Sequence, residues 1–232
     1  MCGRFHLDTP IEKIAREFGL ADVSHLPGLT PKYNIAPTQN ICAVRQVDGV
    51  REFTTLRWGL VPHWARDESF GLKTINARSE TAIEKPAYRD AFAQRRCLIP
   101  ASGFYEWKKT LSGKQPMCMR MHDDAVFGMA GLWESWLPPG GGPPLETCTI
   151  LTCAANDALR PIHERMPVIL VPDSFSNWLD ETAGAAALTS LMAPLPDDRV
   201  RAYSVSARVN SVRNDGPDLV EPIYPPPESL FG

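Results

Sequence analysis

Apolar positions recur along this chain at two periods, and each period predicts its own elements. Ile11, Ile14, Ala15 and Phe18 follow helical spacing, and Gly19 ends the run. Thr9-Pro10-Ile11-Glu12 supplies an N-cap, a proline at the first helical position and a capping-box glutamate. A Pro-rich loop from Pro27 to Pro37 follows. Ile41 to Val47 and Arg51 to Trp58 then flank Asp48-Gly49, the signature of a tight β-hairpin. Leu72 to Asn76 predicts another strand, and residues 81–96 a helix interrupted at Pro86.

Strand patterns dominate the middle of the chain, over residues 96–99, 103–108, 116–121, 126–133 and 147–153. Ser112-Gly113 and a glycine-proline loop from Pro138 to Pro144 punctuate them. Residues 167–171 read as a buried strand, residues 174–179 and 182–192 as helices, and residues 200–205 as a late strand. Strands outnumber helices, and no βαβ alternation is present. The prediction is an α+β fold with a mostly antiparallel, barrel-like β core flanked by helices. With no internal repeat and no dividing linker, residues 1–232 read as a single domain.

The chain carries 24 Lys+Arg against 27 Asp+Glu, a formal net charge of -3. That balance excludes a broadly basic nucleic-acid binder but leaves room for one local basic cleft. No stretch approaches the ~18 consecutive apolar residues of a membrane span, and the first residues lack a signal-peptide run. A soluble, cytoplasmic protein is expected. The six cysteines include no C-x-x-C pair, and most should be buried small hydrophobes. Cys148 and Cys153 share a strand but fall on opposite faces, so they are not joint metal ligands. No pair among the five histidines has zinc-ligand spacing, so no metal site is expected.

Cys2 stands apart. Methionine before a small residue is the usual substrate for removal of the initiator, which would leave Cys2 with a free amine and a thiol on adjacent carbons. The reference pKa of an α-amine is ~7.7–8.0 against ~10.4 for lysine, so much more of it is neutral near pH 7. Such an amine condenses with an aldehyde to a Schiff base. The neighbouring thiol can then close onto the imine carbon as a five-membered thiazolidine, which no internal cysteine can do. From Cys2 alone, a frayed terminus explains position two equally well. N-terminal-nucleophile hydrolases use the amine differently, to activate the thiol; glutamine amidotransferases of that kind commonly open Met-Cys-Gly.

Other polar positions carry weaker signals. Asn76 to Thr81 sits where a strand gives way to a helix, a junction that favours anions, with Arg78 as a fixed donor; a plain Asn/Ser turn has the same pattern. Alternation puts Phe104, Glu106 and Lys108 on one strand face and Tyr105 and Trp107 on the other. The ordinary expectation sends Glu106 to solvent; the functional one makes it a partly desolvated acid/base. His163 and Arg165 lie between Pro161 and Pro167, where His163 could simply cap a loop. Trp58 to Trp64 concentrates aromatics that suit either a core or base stacking.

Taken together, these segments resemble the SOS response-associated peptidase family, whose members cross-link to abasic sites in single-stranded DNA. The resemblance covers Met-Cys-Gly-Arg-Phe at 1–5, Tyr-Asn-Ile-Ala-Pro at 33–37 and Arg-Trp-Gly-Leu-Val-Pro at 57–62. It continues through Ile-Asn-Ala-Arg-Ser-Glu-Thr at 75–81, Arg-Cys-Leu-Ile-Pro-Ala-Ser-Gly-Phe-Tyr-Glu-Trp at 96–107 and Ile-His-Glu-Arg-Met-Pro at 162–167. Val-Asn-Ser-Val-Arg-Asn-Asp-Gly-Pro at 209–217 completes it. One departure is Lys85-Pro86, where family members often carry a further arginine.

The resemblance implies Cys2 as nucleophile after loss of Met1, with Asn76, Glu106 and His163 as catalytic partners. Asn76 would orient the Cys2 terminus. Glu106 would shuttle protons during sugar-ring opening and reversal, and His163 would assist around the Schiff base. It also implies DNA contacts from Arg4, Arg78 and Arg165 to phosphates, a base channel shaped by Trp64 and Pro37, and Thr152 close to the same site. The implied partner is single-stranded DNA with abasic sites, bound by a monomer that joins the nucleoid, with no cofactor. A thiol peptidase acting on its own Met1 or on other proteins, and a non-catalytic module for modified DNA, remain alternatives. A glutamine amidotransferase fits less well, because no second synthetase domain is present.

Overall fold

The computed structural model describes residues 2–21 and 30–223. His25, the first part of the loop expected from Pro27, and the proline run Pro225 to Pro227 lie outside these residues. Early in the chain are β1 (Phe5–Leu7), α1 (Ile11–Phe18), β2 (Lys32–Ile35), β3 (Asn40–Val47), β4 (Val50–Trp58), β5 (Asn76–Arg78), α2 (Ser79–Ala82) and α3 (Arg89–Gln94). Then come β6 (Arg96–Ala101), β7 (Gly103–Thr110), β8 (Gly113–Met121), β9 (Phe127–Trp136) and β10 (Leu145–Ala154). The last elements are β11 (Arg165–Pro167), β12 (Ile169–Leu170), α4 (Pro172–Leu179), α5 (Ala185–Ser190) and β13 (Val200–Ser204).

The hairpin at Asp48-Gly49 seeds the larger sheet: β3 and β4 pair from Asn40↔Arg57 to Val47↔Val50. β3 also pairs with β6, β6 with β9, β9 with β10, and β10 with β4. Those five strands therefore close on themselves, and only the β10–β4 contact is parallel. Closure removes the free edges that an open sheet would expose. The second sheet runs β13-β8-β7-β1-β2 and is antiparallel throughout. The α+β, mostly antiparallel, barrel-like architecture is the one expected.

One apolar cluster joins both sheets, with Phe5, Phe104 and Met119 packed into the same core as Leu98, Met129 and Ile150. Phe5 meets Trp58 edge-on at 5.4 Å, tying β1 to the barrel. On the other side α1 and α4 seal the core through Phe18 and Phe175, 4.6 Å apart. Arg96 is buried, and its guanidinium donates to the carbonyls of Phe92, Ala93, Trp178 and Asp180. The ends of α3 and α4 thus share one cation, which satisfies carbonyls that a helix leaves open. No helix among the described residues is long and apolar enough to cross a membrane.

Several local expectations change in three dimensions. Thr9 forms no capping box: its hydroxyl lies 2.8 Å from the Ser102 hydroxyl, and α1 starts one step later, after Pro10. A tertiary partner has outcompeted the local one. Leu72 belongs to a 3-10 turn over Glu68–Lys73, and the strand there begins only at Asn76. The reason is a backbone crossing: a Cβ on Gly59 would sit 2.6 Å from the Gly71 carbonyl oxygen, so the chain is held in a turn against β4. The helix over residues 81–96 splits into α2 and α3 around Pro86. Strands β1 and β2 are absent from the sequence reading because each is too short to show a period.

Gly103 marks a second close approach. It pairs with His6, and a Cβ there would lie 2.3 Å from His6 Nε2 and 2.6 Å from the Met119 carbonyl oxygen. Gly103→Ala is expected to lower unfolding free energy by about 1–3 kcal/mol through overpacking, measured by urea denaturation; an unchanged midpoint would refute the packing account.

Candidate active site

The site is assembled by β10. One edge of β10 pairs with β4 as far as Cys148↔Trp58 and then with β5, matching Ile150 to Asn76 and Thr152 to Arg78. The opposite edge pairs with β9 as far as Ile150 and then with β11, matching Thr152 to Pro167 and Ala154 to Arg165. Asn76 and Arg78 therefore flank the same stretch of β10 as the segment that carries His163 and Arg165. The second sheet delivers the rest. β1 pairs with β7, and the Tyr105 N–H donates to the Arg4 carbonyl at 2.9 Å, so the chain before β1 lies alongside β7 near Glu106.

Cys2 is buried, and Asn76 Nδ2 donates to its carbonyl oxygen at 2.8 Å. The Asn76 Oδ1 is buried as well and has no hydrogen-bond partner among the described residues. The Cys2 thiol lies 4.0 Å from the Arg4 carbonyl. Burial pushes that thiol well above its ordinary value, and the negative charge of Glu106 pushes it further. At neutral pH it is a thiol, not a thiolate.

Glu106 does not face solvent: it is 5% exposed. Both faces of this end of β7 are covered. Tyr105 packs with Cys118, Val205, Val209 and Leu219, while Glu106 shares a recess with Phe104, Met119, Leu159, Ile162 and His163. A second, wider cavity of about 630 Å³ is lined by Glu106 and His163 together. His163 Nδ1 is 3.0 Å from the Arg165 N–H and 3.2 Å from the Arg165 carbonyl oxygen. Both contacts hold the ring by its Nδ1, and which of them is made depends on the tautomer.

The cations divide into distinct settings. Arg4 is half-buried, and its Nη1 donates to Asn34 Oδ1 and to the Val209 carbonyl, both at 2.7 Å. Its guanidinium also sits 5.9 Å from the Trp107 ring centroid, and burial lowers its pKa from the usual arginine value. Arg165 is held by Glu80 through bonds of 2.5 and 2.9 Å and by the Thr152 carbonyl at 2.5 Å. The Arg78 side chain is exposed and makes no hydrogen bond or ion pair among the described residues, although its charge helps to lower the pKa of Glu80. Thr152 is fully buried beneath Arg165, so its hydroxyl braces that side chain and does not reach the surface. Trp64 is 48% exposed, packs edge-on against Phe70, and lines a separate cavity with Arg66 and Lys73. Pro37 lies in the turn after β2, followed by Thr38 at φ +73°.

The structure therefore brings Cys2, Asn76, Glu106, His163, Arg4, Thr152 and Arg165 into one contact network with Arg78 at its rim. Trp64 and Pro37 stand outside that network. Sequence reasoning missed Asn34, whose Nδ2 donates to the Ser211 and Asn214 carbonyls at 2.9 and 2.8 Å. Its motif, Tyr-Asn-Ile-Ala-Pro, and the late Val-Asn-Ser-Val-Arg-Asn-Asp-Gly-Pro motif are thus two halves of one clamp. Glu80 was also missed, because nothing in a sequence marks a carboxylate 85 positions away as the partner of Arg165.

A further array, Cys118–His6–Asp8, has the residue types of a thiol hydrolase. Cys118 Sγ is 3.6 Å from His6 Nε2, and His6 Nδ1 is 3.1 Å from Asp8 Oδ1. Burial pushes the Cys118 thiol up to about 12, and both Cys118 and His6 are sealed from solvent. The array braces β1 against β8 and cannot meet a substrate.

Fold and site together define an α+β protein with a cysteine-centred site at its amino-terminal end. The chain belongs to the family described as SOS response associated peptidase (SRAP), which matches residues 1–212. It is 42% identical over 223 residues to the abasic site processing protein YoqW of Bacillus subtilis, covering 95% of this chain and 99% of that one. It is 36% identical over 196 residues to the abasic site processing protein HMCES of Gallus gallus, covering 75% of this chain and 58% of the relative. Among solved structures, a protein from Bacteroides thetaiotaomicron superposes with a TM-score of 0.85 at 27% identity, covering 96% of this chain and all (100%) of the other.

The proximity of Glu106 to Cys2 has a measurable effect. Glu106→Gln removes the negative neighbour, so the Cys2 thiol should ionise at lower pH. Alkylation of Cys2 by iodoacetamide, followed by mass spectrometry across pH, should shift to lower pH than in wild type; coincident profiles would uncouple the two groups.

Proposed function

We propose that the protein processes abasic sites in DNA as part of a DNA-damage response, by linking Cys2 covalently to the abasic sugar in single-stranded DNA. The observation that carries this reading is the Asn76 bond to the Cys2 carbonyl beside the Glu106–His163 pair. Family membership and the names of the relatives support the substrate.

The chemistry begins with loss of Met1, which frees the Cys2 amine. That amine adds to the aldehyde carbon of the opened sugar, and loss of water gives an imine. The Cys2 sulfur then adds to the same carbon while its proton passes to nitrogen, closing a thiazolidine. A thiol kept protonated by burial and by Glu106 fits this order, because the amine leads and the sulfur follows. It fits a thiolate-first peptidase poorly. Asn76 fixes the Cys2 carbonyl and offers its unpartnered Oδ1 to the new amine. Glu106 moves the proton that ring opening and reversal require, and His163 serves the imine and the sugar oxygen. Arg78 offers an unengaged guanidinium to a phosphate. Arg165 would reach one only by exchanging Glu80.

A denaturing gel tests the covalent step. Wild type mixed with a single-stranded oligonucleotide holding one abasic site should give a shifted band. Cys2→Ala keeps a terminal amine without the thiol, so its band should survive only after borohydride reduction of the imine. No shifted band in wild type, with Met1 confirmed absent, would sink the reading.

Self-removal of Met1 is the second part of the proposal. Water, not the thiol, adds to the Met1 carbonyl, and the Met1–Cys2 bond breaks. Methionine leaves as the free acid and the Cys2 nitrogen takes up the proton as an amine, with the Glu106–His163 pair beside Cys2 as the proton carrier. Intact mass of protein made without a methionine aminopeptidase should show Met1 lost from wild type and kept in Glu106→Ala. Retention in both would remove the self-processing step.

A further inference from the structure

The hairpin β7–β8 opposes Lys109 directly to Lys114. Like charges placed opposite each other across a strand pair destabilise it, and both lysines are exposed with no carboxylate partner among the described residues. Nothing in the fold needs two ammonium groups there. Both line the wide cavity that also contains Glu106, Trp107, Arg160 and His163. Arg160 is 64% exposed, and its ion pair with Asp157 at 3.0 Å joins two solvated groups, so an incoming anion can displace it at little cost.

Glu106 and His163 face this cavity on one side and the smaller recess of Arg165 on the other. Neither Arg78 nor Arg165 lines the wide cavity. A strand whose reacting sugar sits at Glu106 and His163 must leave the site in both directions, and cations await it in both. Glu106 and Glu164 line the same cavity as the three cations, and Asp157 pairs with Arg160.

We propose that Lys109, Lys114 and Arg160 form a second phosphate-binding site for the strand that flanks the abasic nucleotide, a site that rests on the reading of Cys2 as the DNA-linking residue. Compact ammonium groups match phosphodiesters as point charges and carry no base preference, so this arm adds affinity and direction without sequence selectivity.

The test measures equilibrium binding of a labelled, abasic, single-stranded oligonucleotide across salt, in a Cys2→Ala background that prevents thiazolidine closure. Lys109→Ala/Lys114→Ala should flatten the slope of log K against log salt by about 1.4, two contacts at ~0.7 each for a single strand. Lys109→Arg/Lys114→Arg should restore it, which a folding defect would not allow. Lys13→Ala/Arg16→Ala on α1 removes the same charge and should leave the slope unchanged. An unaltered slope in the alanine pair, or equal flattening by the α1 control, overturns the proposal. The same oligonucleotide run with wild type on a denaturing gel reports on the underlying reading separately, since loss of the cross-link there removes the Cys2 role whatever the slope.

Discussion

The arrangement of the molecule depends on how β10 fills its hydrogen bonds. A strand has two edges, and every buried N–H and C=O along them must find a partner. β10 meets that demand by changing neighbours midway on both edges, from β4 to β5 on one and from β9 to β11 on the other. The first half closes the barrel. The second half, freed from the barrel strands, collects two short strands that could not persist alone. Asn76 arrives on one of them, and His163 sits in the approach to the other. The site is a by-product of barrel closure, placed where the barrel runs out.

Long periodic segments were legible in the sequence because their pattern is local. The β3–β4 hairpin, the strands from β6 to β10 and the helices α1 and α4 all follow from spacing and turn chemistry. What was illegible is tertiary. Thr9 exchanged a local cap for Ser102, and Leu72 was folded into a turn by the contact between Gly59 and Gly71. Alternation alone would have sent Glu106 to solvent for a related reason: it assigns a face but cannot say that both faces of β7 are covered. The candidate site itself came from ordered motifs, since Cys2, Asn76, Glu106 and His163 are separated by long stretches that no periodicity connects.

Charge in this chain is local, which is how a net acidic protein can keep separate cationic patches. Most arginines near the site are committed. Arg4 belongs to the clamp on Val209, Arg96 to two helix ends, and Arg165 to Glu80. The Arg78 side chain makes no hydrogen bond or ion pair among the described residues, and Lys109 and Lys114 on the β7–β8 hairpin likewise have no carboxylate partner there. Committed arginines build geometry; uncommitted cations supply attraction that salt can tune.

The clamp of Arg4 on Val209 spans 205 positions of sequence. During synthesis β1 can pair with β2 early, but its other edge has no partner until β7 is made, and Arg4 has no acceptor at Val209 until most of the chain exists. Full enclosure of the residues around Cys2 therefore waits on partners from late in the chain. Cys2 is thus enclosed by the finished chain and not by its own neighbours in sequence.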